Sequence, residues 1–83
     1  PLMNIRLFIK PGCPWCDEAT EWLDARSIQY TTLDVTSDRA ARQEMHDLTG
    51  QGKAPSIDVD GEILADFGAD ELEAWWKKMK FGA

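Results

Sequence analysis

The chain has 83 residues, 43% of them apolar, with four tryptophans and a formal net charge of −6. A chain this short hides only about 60% of its unfolded surface, so one domain over residues 1–83 is expected, with no core position to spare. The aromatic content excludes a disordered chain, and the acidic balance excludes a phosphate-backbone partner, which would need clustered Lys and Arg.

No segment approaches the roughly 20 apolar residues of a membrane span, and Pro1 to Arg6 holds no long apolar run, so a soluble, cytoplasmic monomer with no membrane partner is expected. From Asn4, the sequence NIRLFI sets Ile5, Leu7 and Ile9 against a second face that Phe8 makes partly apolar, which predicts a central strand covered on both sides. Pro11 and Gly12 break it. Pro14 then opens a helix whose stripe is Trp15, Ala19, Trp22, Leu23 and Arg26, ending near Ser27. Ile28 to Val35 is rich in β-branched and aromatic residues and predicts a second strand, parallel to the first through a right-handed crossover.

Ser37 is expected to cap a second helix carrying Ala41, Met45 and Leu48 and stopping at Thr49 to Gly52. Pro55 to Leu64 alternates on either side of Asp60–Gly61, a dipeptide suited to a tight hairpin, and predicts strands three and four. Asp70, with Glu73 three residues on, predicts the cap of a last helix whose stripe is Leu72, Trp75, Trp76 and Met79. The order is βαβαββα, an α/β chain with four strands and three helices.

The two cysteines of the chain stand together in GCPWC, Gly12 to Cys16. A bond between them closes too small a loop to act as a staple. With Pro14 as the first helical residue, Cys13 is the N-cap, where the free amides of Trp15 and Cys16 can donate to sulfur and favour its charged form. Cys13 is therefore the expected nucleophile. Cys16 lies one turn on, at a separation a disulfide tolerates, and is the expected resolving thiol of a redox-active Cys13–Cys16 pair.

A C-x-x-C after a strand in a βαβ pattern points to thiol–disulfide exchange. A conventional metal site takes four ligands, more than two cysteines and the lone His46 supply, so none is expected short of a cluster shared between subunits. His46, Lys77, Lys78 and Lys80 read as solvated surface; Trp22, Trp75 and Trp76 read as core or partly covered surface.

CPWC on a first helix, followed by KAP before strand three in a βαβαββα chain of this length, resembles the glutaredoxins of the thioredoxin fold from about Asn4 to Phe81. The resemblance implies a mixed sheet ordered 2-1-3-4, strand three antiparallel to strand one, and a cis peptide at Pro55. It implies reduction of protein disulfides and glutathione mixed disulfides, glutathione as reductant and cosubstrate, and no bound cofactor. Among site residues it implies that Lys10 lies near the thiolate and the glycyl carboxylate of glutathione, and that Trp15 stands where tyrosine is usual. It implies also that Ala54, before Pro55, pairs its backbone with the cysteinyl unit, and that Asp70 receives the γ-glutamyl amino group.

Lys53 stands where the family commonly has threonine and is expected near Cys13. The segment Ala65 to Leu72 lacks the usual paired glycines and resembles the NrdH-type glutaredoxin-like proteins, which take electrons from thioredoxin reductase. A glutathione or a thioredoxin reductase system is therefore expected as partner, and a non-catalytic iron–sulfur-carrying or binding module is the alternative of another class.

Overall fold

Residues 3–81 are described by the structure, a computed structural model; Pro1, Leu2, Gly82 and Ala83 lie outside them. Seven elements follow in chain order: β1 (Ile5–Ile9), α1 (Pro14–Ala25), β2 (Thr31–Asp34), α2 (Arg39–Thr49), β3 (Ser56–Val59), β4 (Glu62–Ala65) and α3 (Ala69–Met79). The sheet runs β2-β1-β3-β4. β1 pairs in parallel with β2 and antiparallel with β3, and β3 pairs antiparallel with β4. This is the thioredoxin fold.

Strand alternation divides the core into two layers. On one face Ile5, Leu7, Ile57 and Val59 meet Ala19, Trp22 and Leu23 of α1 and Leu72 and Trp76 of α3. On the other, Phe8 and Val35 meet Ala41 and Met45 of α2. The first layer holds most of the aromatic mass: Trp22 and Trp76 pack edge to face with centroids 5.5 Å apart. Arg26 lies over the Trp22 ring at 3.9 Å and reaches Glu73 at 2.9 Å, so its stem covers indole while its charge stays paired.

The α2 face is thinner in apolar residues and adds an ion cluster. Arg6 Nη2 and Nε donate to Asp58 Oδ2 at 2.6 and 3.2 Å, and Nη1 to Glu44 at 2.6 Å. Asp58 Oδ1 also accepts from the Gly61 amide at 2.8 Å, which ties the cluster to the β3–β4 turn. In that turn Asp60 and Gly61 both have positive φ, 52° and 94°, the mirror-image geometry that Asp–Gly favours.

Three sequence expectations shift. β2 starts at Thr31, because the Ile28 amide donates to Leu23 O at 3.1 Å and Ile28 packs into the core instead of entering the sheet. The cap of α2 is Asp38, not Ser37: Asp38 Oδ1 accepts from Ala41 N at 3.1 Å. The N-cap of α3 is Gly68, not Asp70; Glu71 reaches back to the Gly68 amide at 2.8 Å, while Glu73 is drawn off to Arg26 and Trp22. The 2-1-3-4 order, the antiparallel β3 and the cis Ala54–Pro55 bond are as the resemblance implied.

Candidate functional site

The site forms at the C-terminal end of β1. Gly12, at φ +68°, turns the chain out of the strand, a conformation that suits glycine, and Cys13 follows in extended geometry as the N-cap of α1. Pro14 occupies the first helical position, where an N–H would have had no partner. The amide that reaches Cys13 Sγ is that of Cys16, at 3.1 Å. The Cys13 side chain thus satisfies one of the free amides of the first turn of α1.

The two thiols are unlike. Cys13 is half-buried and Cys16 is buried, 3% exposed. Burial, followed by a hydrogen bond to Cys13, pushes the Cys16 thiol from its ordinary 9.0 up to about 12. One sulfur thus faces solvent on the helix cap, and its neighbour one turn behind stays a neutral thiol, held against the first.

A second segment arrives from β3. The antiparallel register Phe8↔Ser56 sets Lys10 and Ala54 at the same end of the sheet. Pro55 is buried after its cis bond, and its carbonyl accepts from Asp66 N at 2.9 Å, which ties this segment to the end of β4. Lys10 Nζ donates to Gly52 O at 3.1 Å. One of the three ammonium donors of Lys10 thus ties the end of β1 to the facing loop. Lys53 is exposed, with the Asp66 carboxylate 3.9 Å from its ammonium.

The third segment is the start of α3. Trp15 is 57% exposed, yet its ring lies against Gly68: a Cβ built there would sit 3.5 Å from the indole. This contact joins the first turn of α1 to the first turn of α3, where Asp70 is exposed at the second helical position. Cys13, Trp15, Lys10, Ala54, Pro55 and Asp70 are thus gathered at one end of the molecule, with Lys53 at its margin. His46 is exposed on α2, and Lys77, Lys78 and Lys80 crowd the far end of α3.

Sequence reasoning missed Gln51, whose carboxamide wraps the loop before Pro55, and Asp66, which anchors that loop from β4. Neither belongs to a motif, and the only local cue is the polar pair Thr49 and Gln51 at a helix end. Among the described residues no group of three or more His, Cys, Asp or Glu is placed to hold a metal ion, and no helix is long and apolar enough to cross a membrane.

Fold and site together define a thioredoxin-fold protein with a dithiol at the start of its first helix. A family model, Glutaredoxin, matches residues 5–64. An uncharacterized glutaredoxin-like 8.6 kDa protein in the rubredoxin operon of Clostridium pasteurianum is 33% identical over 83% of this chain and 92% of its own. Glutaredoxin 3 of Escherichia coli (strain K12) is 27% identical over 88% of this chain and 86% of its own. The solved thioredoxin-like protein BC3987 superposes with a TM-score of 0.78 at 30% identity, over 86% of this chain and 97% of that one. The chain belongs to the glutaredoxin family, and it is a thiol–disulfide oxidoreductase.

Proposed function

We propose that this protein, as a single domain over residues 1–83, reduces protein disulfides and glutathione mixed disulfides, with Cys13 as nucleophile, Cys16 as resolving thiol and glutathione as the electron source. The observation that carries the reading is the asymmetry of the two sulfurs. Cys13 is reachable and capped by a helix amide, whereas Cys16 is buried and protonated.

Cys13 thiolate attacks one sulfur of a substrate disulfide, forms a mixed disulfide, and expels the other sulfur as a thiolate that takes a proton. Cys16 then attacks Cys13, closing the Cys13–Cys16 disulfide and releasing the captured thiol. The protein dithiol is oxidised and the substrate disulfide reduced. Two of the causes that keep Cys16 protonated, its hydrogen bond to Cys13 and the charge of Cys13, end once Cys13 is covalently capped. Cys16 is thereby made more acidic by the very step that creates its target, and two molecules of glutathione then restore the dithiol.

Glutathione fits the same end of the molecule. Lys10 and the loosely paired Lys53 offer cations for its glycyl carboxylate. Ala54 and Pro55 offer backbone for its cysteinyl unit, and Trp15 offers an apolar wall. Asp70 offers a carboxylate for its amino group at the opening of α3. A second reading, an NrdH-like protein reduced by thioredoxin reductase, is favoured by two observations: Gly68 lies beneath Trp15, and the paired glycines before α3 are missing.

Coupled NADPH oxidation separates the two. The first reading expects turnover of a glutathionylated peptide with reduced glutathione and glutathione reductase. Turnover with thioredoxin reductase, and none with glutathione, would overturn the choice of donor.

A further inference from the structure

The loop from Gln51 to Pro55 joins α2 to β3 without regular structure, yet one side chain holds it as a neighbouring strand would. Gln51 Oε1 accepts from the Lys53 amide, and Gln51 Nε2 donates to the Lys53 carbonyl at 3.1 Å. Nε2 also reaches Thr49 Oγ1 at 3.2 Å and Ser56 Oγ at 3.5 Å, and Thr49 Oγ1 is itself fixed to Met45 O of α2 at 2.7 Å. Lys10 Nζ holds Gly52 O, and Ser56 Oγ donates to Lys53 O at 3.0 Å. Both main-chain groups of Lys53 are therefore engaged. The amide and carbonyl of Ala54 are bonded by none of the described residues.

We infer that Gln51 is a positioning residue: by occupying the main chain of Lys53, it leaves Ala54 as the pairing edge and sets the register in which an extended disulfide substrate lies beside Cys13. The inference rests on Cys13 being the nucleophile. Its physical basis is that extended backbones pair wherever an N–H and a C=O stand unpartnered, and a shift of one residue turns every side chain to the opposite face. Without Gln51 the Lys53 amide is freed, while its carbonyl keeps Ser56 Oγ; a substrate backbone then has a second, adjacent N–H on which to pair, and only one of the two registers presents its cysteine sulfur to Cys13. Gln51 touches no reacting atom; it acts through Lys53 and Ala54.

The test is single-turnover reaction of pre-reduced protein with a glutathionylated peptide, which needs no electron donor. Wild type should react with a saturable dependence on peptide concentration. Gln51→Ala should raise the half-saturating concentration about tenfold, the order of one or two lost hydrogen bonds, with the saturated rate changed by less than about twofold. Alkylation of Cys13 by iodoacetamide, which requires no backbone edge, should proceed at the wild-type rate in the variant.

Gln51→Glu keeps the acceptor for the Lys53 amide and loses the donors, and should shift half-saturation in the same direction by less; it carries the test alone if Gln51→Ala does not fold. Unchanged half-saturation in the folded variants overturns the inference, as does a fall in alkylation rate that matches the fall in exchange rate. A wild-type protein that does not exchange at all would instead refute the thiol-exchange reading, so the two failures are distinguishable.

Discussion

Replacing Cys13 with alanine should make Cys16 more reactive, although it removes the sulfur through which the protein works. In the reduced protein Cys16 is pushed to about 12 from 9.0, so at pH 8 its thiolate fraction is about a thousandfold below that of an unperturbed thiol. A more basic thiolate is also a better nucleophile, and a Brønsted slope of about 0.4–0.5 returns roughly 15- to 30-fold over such a shift. The net expectation is labelling about 30- to 60-fold slower than a free thiol, before any steric slowing from its burial. Alanine at position 13 deletes the hydrogen bond and the charge of Cys13 but leaves burial, the largest cause. The lag should therefore shrink without vanishing. Competitive iodoacetamide labelling read by peptide mass spectrometry gives both rates, with Cys13 labelled first in the wild-type chain. Cys16 labelling at the speed of a free thiol in wild type, or at the same slow rate in Cys13→Ala, would refute the coupling of the two sulfurs.

Two further expectations follow from groups away from the sulfurs. Asp58→Ala removes three hydrogen bonds from a carboxylate that is 10% exposed and leaves Arg6 only Glu44. The loss should be about 2–4 kcal/mol in urea unfolding, less than for a fully buried pair because Arg6 keeps one partner, and a loss under about 0.5 kcal/mol would contradict the placing of this cluster. Tyr30, raised to about 12 by burial and its 2.8 Å bond to Asp24, holds its proton more tightly when folded than when unfolded. The stability it contributes is complete below its ordinary 10.0 and is lost as pH rises toward 12, so Tyr30→Phe should flatten the fall of Tm over that window; equal slopes would contradict the assignment.

Much of this was legible in the sequence where local chemistry decides. Strand periodicity, Pro14 after Cys13, the glycine that ends α2 and the Asp60–Gly61 turn each have a cause within a few residues, and the order of elements and the cap role of Cys13 came from them. The start of α3 did not. Gly68 with Glu71 and Asp70 with Glu73 share one spacing, and the choice falls to Gly68 because Trp15 packs on it and Arg26 takes Glu73. The pairing of Lys53 with Asp66 was not legible either, because Asp66 stands at the end of β4 and only strand pairing brings it near. Gln51 has no sequence signature for a similar reason: its main partners are the backbone groups of Lys53, which leave no trace in side-chain pattern.

The most direct measurement is mass spectrometry of the Cys16→Ser variant after reaction with a glutathionylated peptide, followed by turnover with excess glutathione. Glutathione should be carried on Cys13, with sustained deglutathionylation by Cys16→Ser and none by Cys13→Ser. Glutathione recovered on Cys16 of a Cys13→Ser variant that still turns over would contradict it.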